Sequence, residues 1–99
     1  MNTYASNKTM TILKASILEI QKDIQYYAKK RDSYNALVEF LVPIEDRLPN
    51  DEKIIDKFYD TYMRAFDKMQ DADFIVEMLS DQLQQLHRVL AHLEDYEQY

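Results

Sequence analysis

The second half of the chain repeats one spacing without a break. Stepping alternately three and four residues from Ile55 gives Phe58, Tyr62, Ala65, Met69, Ala72, Val76, Leu79, Leu83, Leu86, Leu90 and Leu93, all of them apolar or aromatic. The alternation averages about 3.5 residues per turn, the period that keeps one seam of a helix turned toward a partner helix. It predicts a single helix over about 50–97, with the rest of the chain arranged to cover it.

The same step restarts at Met10 and continues through Leu13, Ile17, Ile20, Ile24, Tyr27, Arg31, Tyr34, Val38 and Leu41. Only Arg31 breaks the apolar pattern. A first helix is therefore expected over about 7–42, with Ser6 or Asn7 as its N-cap and with Pro43 opposing any continuation, because its ring lacks the N–H a helix needs. The connector 43–49 holds both prolines, and its Ile44 and Leu48 are expected to fold over the end of the molecule. Asn50 is expected to cap the second helix, with Asp51 and Glu52 in the first turn, facing the positive end of the helix dipole. A short connection between two long helices makes them antiparallel neighbours. The expected fold class is all-α, a single domain over 1–99 built as an antiparallel hairpin of two heptad-patterned helices.

Composition narrows the chemistry. The 99 residues include no glycine and no cysteine. Without glycine, phosphate-cradling loops, tight hairpin turns and nucleophile elbows lose the residue they lean on. Without cysteine there are no disulfides, thiolate nucleophiles or cysteine zinc sites, and a cytoplasmic location is preferred. Hydrophobic residues make up 46% and charged residues 30%, a balance that fits neither a disordered chain nor a membrane protein. The longest apolar run, Phe40 to Ile44, falls far short of the ~20 residues of a span, and no signal-peptide pattern opens the chain.

Folding the two registers about the connector sets Val38 against Ile55, Ile24 against Met69, Ile17 against Val76 and Met10 against Leu83. Leu86, Leu90 and Leu93 are then left facing Ser6, Thr3 and nothing. Fully burying a leucine is worth about 1.5–3 kcal/mol, so such a row calls for a second chain. The flank formed by Tyr59, Met63 and Phe66 beside Phe58 and Tyr62 is also broader than a two-stranded seam requires. Both features point to a homodimer forming a four-helix bundle, with Leu83, Leu86, Leu90, Leu93, Tyr59, Met63 and Phe66 as its interface or as a face for a different protein. Tyr26, Tyr96 and Tyr99 lie off the seam or at the chain end and are further candidates for partner contact.

Arg31 is expected to form a polar layer in the seam, opposite Tyr62. An unpaired buried guanidinium is prohibitive, so it must snorkel, stack on tyrosine or meet a carboxylate. Such a layer fixes register and oligomeric state.

No residue set points to catalysis. A positioned base and an oxyanion hole are hard to build on continuous helices, whose N–H groups are already bonded, so the chain is not expected to be an enzyme. His87 and His92 are five residues apart and diverge around a helix, and neither sits in a Glu-x-x-His pair, so no metal or other cofactor is expected.

Charge divides unevenly. Residues 1–49 carry seven Lys/Arg and six Asp/Glu, and residues 50–99 carry five and twelve, making the overall net charge −6. Asp56, Asp60, Asp67, Asp71 and Asp81 form an acidic outer face, whose default role is solvation. Direct nucleic-acid binding is disfavoured, since Lys29-Lys30-Arg31 is the only basic cluster.

The function expected from these features is that of a non-enzymatic protein-binding regulator or inhibitor. It would act as a homodimeric bundle on another protein, without a membrane. A short acidic helical chain without glycine or cysteine is also the kind of product phages make to occupy a host protein, which would place it in the host cytoplasm. Two alternatives belong to other classes: an assembly, scaffold or chaperone-like coiled coil, and an acidic decoy of nucleic acid aimed at a DNA- or RNA-binding protein.

Overall fold

The structure, a computed structural model, describes the backbone of residues 3–97 and the side chains of residues 7–95. Two helices account for nearly all of it: α1, Thr3–Glu45, and α2, Glu52–Glu97. They lie antiparallel as a rod with extents of 75 × 16 × 13 Å. Every expected seam position on both helices is buried or half-buried, so the heptad pattern identifies the face on which they meet. The best-covered residues are the smallest, Ala65 at 3% and Ala72 at 4% exposure. Alanine in the seam lets the opposite helix approach closely, where a larger side chain would hold it off.

The helix ends differ from expectation in three places. α1 begins at Thr3, so Asn7 is interior, and its carbonyl accepts a hydrogen bond from the Thr11 hydroxyl at 2.9 Å. The expected cap at Ser6 or Asn7 is therefore not a cap. α1 also runs through Pro43 to Glu45 instead of stopping near Val42. Pro43 costs the Glu39 carbonyl its partner, but Glu39 and Pro43 are both exposed and water can replace the lost N–H. Beyond the proline, Ile44 and Leu48 are both half-buried at the turn, which favours carrying the helix past the break.

The third difference is the cap of α2. Asp51 fills that place rather than Asn50. Its Oδ1 accepts the backbone N–H of Lys53 at 3.0 Å and of Ile54 at 3.4 Å, while its carbonyl accepts the first helical bond from Ile55 at 3.0 Å. Replacing Asp51 with alanine should lower stability by about 1 kcal/mol, whereas Asn50→Ala should be close to neutral; urea denaturation of the two variants separates the assignments. The rest of the connector needs no left-handed residue: among the described residues none has positive φ. Arg47 N–H bonds to the Ile44 carbonyl at 2.9 Å and Leu48 N–H to that of Glu45 at 3.4 Å, tightening the end of α1. Asp51 N–H then closes on the Pro49 carbonyl at 2.8 Å. This is how a chain without glycine turns.

The register between the helices is the largest revision. Arg31 Nη1 reaches Asp73 Oδ1 at 3.3 Å, and the Tyr59 hydroxyl reaches Glu45 Oε1 at 2.7 Å. Tyr27, Lys30 and Tyr34 share one shallow depression with Ile75, Ala72 and Lys68. Carried along the helices, this offset sets Val38 opposite Ala65, Arg31 opposite Ala72, Ile17 opposite Leu86 and Met10 opposite Leu93. Ile17 thus faces a point ten residues further along α2 than Val76, about 15 Å away. Opposed helices interleave their three- and four-residue steps, so a residue that opens one step meets a residue that closes one. Val38 against Ile55 breaks that rule, and Val38 against Ala65 obeys it.

Candidate interaction surface

Arg31 sits on the seam, and its guanidinium turns out of it sideways. The opposing Ala72 leaves room for the stem to cross, and the head bonds to Asp32 at 3.2 Å and Asp73 at 3.3 Å with a third of the side chain exposed. The hydrogen bonds to Asp32 and then to Asp73 raise its pKa above the ordinary value and outweigh its partial burial. Of the three outcomes open to it, Arg31 meets carboxylates. Its expected position opposite Tyr62 does not hold, because the register moves Tyr62 to the level of Leu41.

The C-terminal leucines are corrected by the same shift. Leu83, Leu86, Leu90 and Leu93 are half-buried, at the levels of Ile20, Ile17, Leu13 and Met10. They do not outrun α1. The longer α1 and the later register together give them apolar partners within the chain.

The aromatic flank stands differently. Phe58 is buried, and the rings of Phe58, Tyr62 and Phe66 stack in steps of 6.4 Å down α2. Tyr59 and Met63 are exposed and Phe66 half-buried, and on α1 the nearby Val42 is exposed too. Together these residues make an apolar patch on one flank of the connector end.

Tyr59 also clasps the hairpin through Glu45, and that bond raises its pKa above the ordinary tyrosine value. A neutral donor held this way stabilises the fold fully below the unfolded pKa of about 10, and the contribution disappears as pH rises through the higher folded value. The melting temperature of Tyr59→Phe should accordingly lie below that of the unaltered chain at neutral pH and converge with it in strong alkali. A constant gap across that range would rule the clasp out.

The opposite flank carries exposed apolar residues that the seam pattern did not pick out. Ile12, Leu37 and Phe40 on α1, with Ile54, Met78 and Val89 on α2, are all exposed. Tyr26, a candidate contact from the sequence, is exposed among them, its ring edge-on to Tyr27 at 5.1 Å and beneath the Lys30 ammonium at 4.9 Å. The signal was present in the spacing: Ile12, Tyr26 and Phe40 recur at two-heptad intervals, off the seam. Tyr96 and Tyr99, the other tyrosine candidates, lie outside the residues whose side chains are described.

Asp56, Asp60, Asp67, Asp71 and Asp81 are all exposed. The face they make is not continuous. Asp60 is paired with Arg64 at 3.2 Å, and Phe74, 62% exposed, stands between Asp67 and Asp81. His87 and His92 are exposed. Among the described residues no group of three His, Asp or Glu side chains is placed to hold a metal, and no helix is long and apolar enough to cross a membrane.

Comparison of the chain with protein-family models, with curated proteins and with solved structures gives no match.

Proposed function

We propose that this hairpin is a non-catalytic binding protein that works as a homodimeric four-helix bundle and regulates or inhibits another protein through its remaining surface. One observation carries the reading. The seam between α1 and α2 is satisfied within the chain, yet among the described residues twelve large hydrophobic side chains stay exposed on the flanks and outer faces, including Phe40 at 68% and Phe74 at 62%. Where such residues line up or gather on one flank of a rod with so small a core, they suit a surface covered by another protein.

The two flanks differ in a way that suits two uses. Exposed apolar residues on one are spread along the rod, as a long helix-to-helix contact needs. On the other they gather at the connector end around Tyr59 and Met63, a compact aromatic spot of the kind that anchors an interface. The decoy alternative is weakened by Phe74 and by Arg64, which break the run of carboxylates.

Sedimentation at micromolar concentration tests the dimer: a single species of twice 11.9 kDa is expected, and a clean monomer would overturn it. Capture of a partner from the native host should then give a complex of fixed ratio that Met63→Asp abolishes while the dimer persists. A partner lost steeply with added salt and insensitive to Met63→Asp would favour the acidic face instead.

A further inference from the structure

We infer that two copies of the chain join antiparallel along the flank of Ile12, Tyr26 and Phe40, with the two-fold axis passing Tyr26. The inference rests on the dimer proposed above and specifies its face and its axis.

An isologous interface must complement itself: where one residue meets another, the second must meet the first in return. The exposed stripe of α1 has that property. Ile12 and Phe40 stand two heptads either side of Tyr26, at 59%, 68% and 55% exposure. A second α1 laid antiparallel about Tyr26 brings Ile12 over Phe40 at both ends. It also brings the exposed Asp23 to the level of Lys29 and Lys30 of the second copy, and the reverse, with Lys30 on the same flank as Asp23. Apolar meets apolar and anion meets cation, twice each.

α2 provides an independent check, because its position relative to the axis is already set by the intrachain register. Tyr27 and Ile75 line the same depression on this flank, so Tyr26 stands level with about residue 77. An axis at that height passes between Ile75 and Met78, and each meets the other on the second copy. On this flank Ile75 and Met78 stand beside the axis, and the charged Asp71 and Lys68 of the same depression lie one and two turns away.

The opposite flank shows no such symmetry among the described residues, where Val42, Tyr59 and Met63 crowd one end and Leu18 stands toward the other. The size is also adequate. From Ile12 to Phe40 the stripe runs about 42 Å, and on a body 16 Å across it offers on the order of 700 Å² per chain, near the ~800 Å² of a standard stable interface.

The test uses the absence of cysteine, which makes any single substitution a clean probe. Tyr26→Cys should join to itself across the axis on mild oxidation or with a short bismaleimide. Ile12→Cys should cross-link only when mixed with Phe40→Cys, and Leu18→Cys on the far flank should not cross-link. Lys30→Asp and Asp23→Lys should each weaken the dimer about tenfold or more, and the double exchange should restore it. A dimer that sediments normally but cross-links through Leu18→Cys, or through neither position, overturns this face while leaving the dimer standing. Charge exchanges without effect on the dimer do the same. A monomer at all concentrations removes both.

Discussion

Replacing Phe58 with alanine should cost about 3–5 kcal/mol, the usual range for an aromatic side chain deleted from a packed site. Phe58 is 9% exposed and, among the described residues, the one large aromatic side chain that is buried; the other buried residues, Ile17, Val38, Leu41, Ala65 and Ala72, are spread along the seam. It lies opposite the last turn of α1, where the half-buried Ile44 and Leu48 bring the chain around. Its ring is also edge-on to Tyr59 at 5.4 Å and stacked on Tyr62 at 6.4 Å, so its loss opens the aromatic ladder of α2 at its first rung. Domains of this size are stable by only about 5–15 kcal/mol in total, and a two-helix rod has little other core to fall back on. The expected result in helical circular dichroism is a variant largely unfolded at a concentration where the parent is folded. Phe74→Ala serves as the control, because Phe74 is 62% exposed on the outer face of α2 and should barely move the melt. A Phe58→Ala loss below about 1 kcal/mol would mean that the turn end is not packed as described.

The seam was legible from sequence because period alone decides it. Each of its positions, from Met10 to Leu41 and from Ile55 to Leu93, is covered. Register was legible only in part: the interleaving of steps excludes Val38 against Ile55, but several registers obey that rule. Sliding one helix past the other by a heptad exchanges apolar layers for apolar layers, so the seam carries little information about its own alignment. The alignment is carried by polar residues outside the apolar stripe, above all Asp73, which holds Arg31, and Glu45, which holds Tyr59. Asp73 lies beside the stripe, and Glu45 falls one step beyond its last apolar residue on α1, Leu41. Arg31 was recognisable as a polar layer, but its partner depended on the register and moved with it.

At the turn, local chemistry cuts both ways. Pro43 is a poor helix residue in general, yet here it falls in an exposed last turn with apolar residues on either side of it. Asn50 and Asp51 are both good capping residues, and only the placement of the first helical N–H groups distinguishes them. The outer flank is fainter in the sequence because Ile12, Tyr26 and Phe40 fill only every second heptad, with Glu19 and Ser33 at the positions between.

The register is open to direct measurement through Ile17, which is 6% exposed in the middle of the leucine half of the rod. Ile17→Ala should cost about 2–5 kcal/mol, at the upper end if the layer cannot collapse onto the small side chain. The single value shows only that Ile17 is buried. Its partner emerges from paired substitutions, because contacting residues couple by about 0.5–3 kcal/mol and distant ones add. Ile17→Ala combined with Leu86→Ala should cost less than the two separately, since the second truncation removes contacts the first has already broken. Combined with Val76→Ala, about 15 Å along α2, the costs should add. If coupling appears at Val76 and not at Leu86, α2 slides by nearly three turns, the C-terminal leucines lose their partners in α1, and the two-fold axis proposed above no longer passes between Ile75 and Met78. If it appears at Leu86, the leucines belong to the hairpin, and the proposed dimer has to use a face other than the leucine seam.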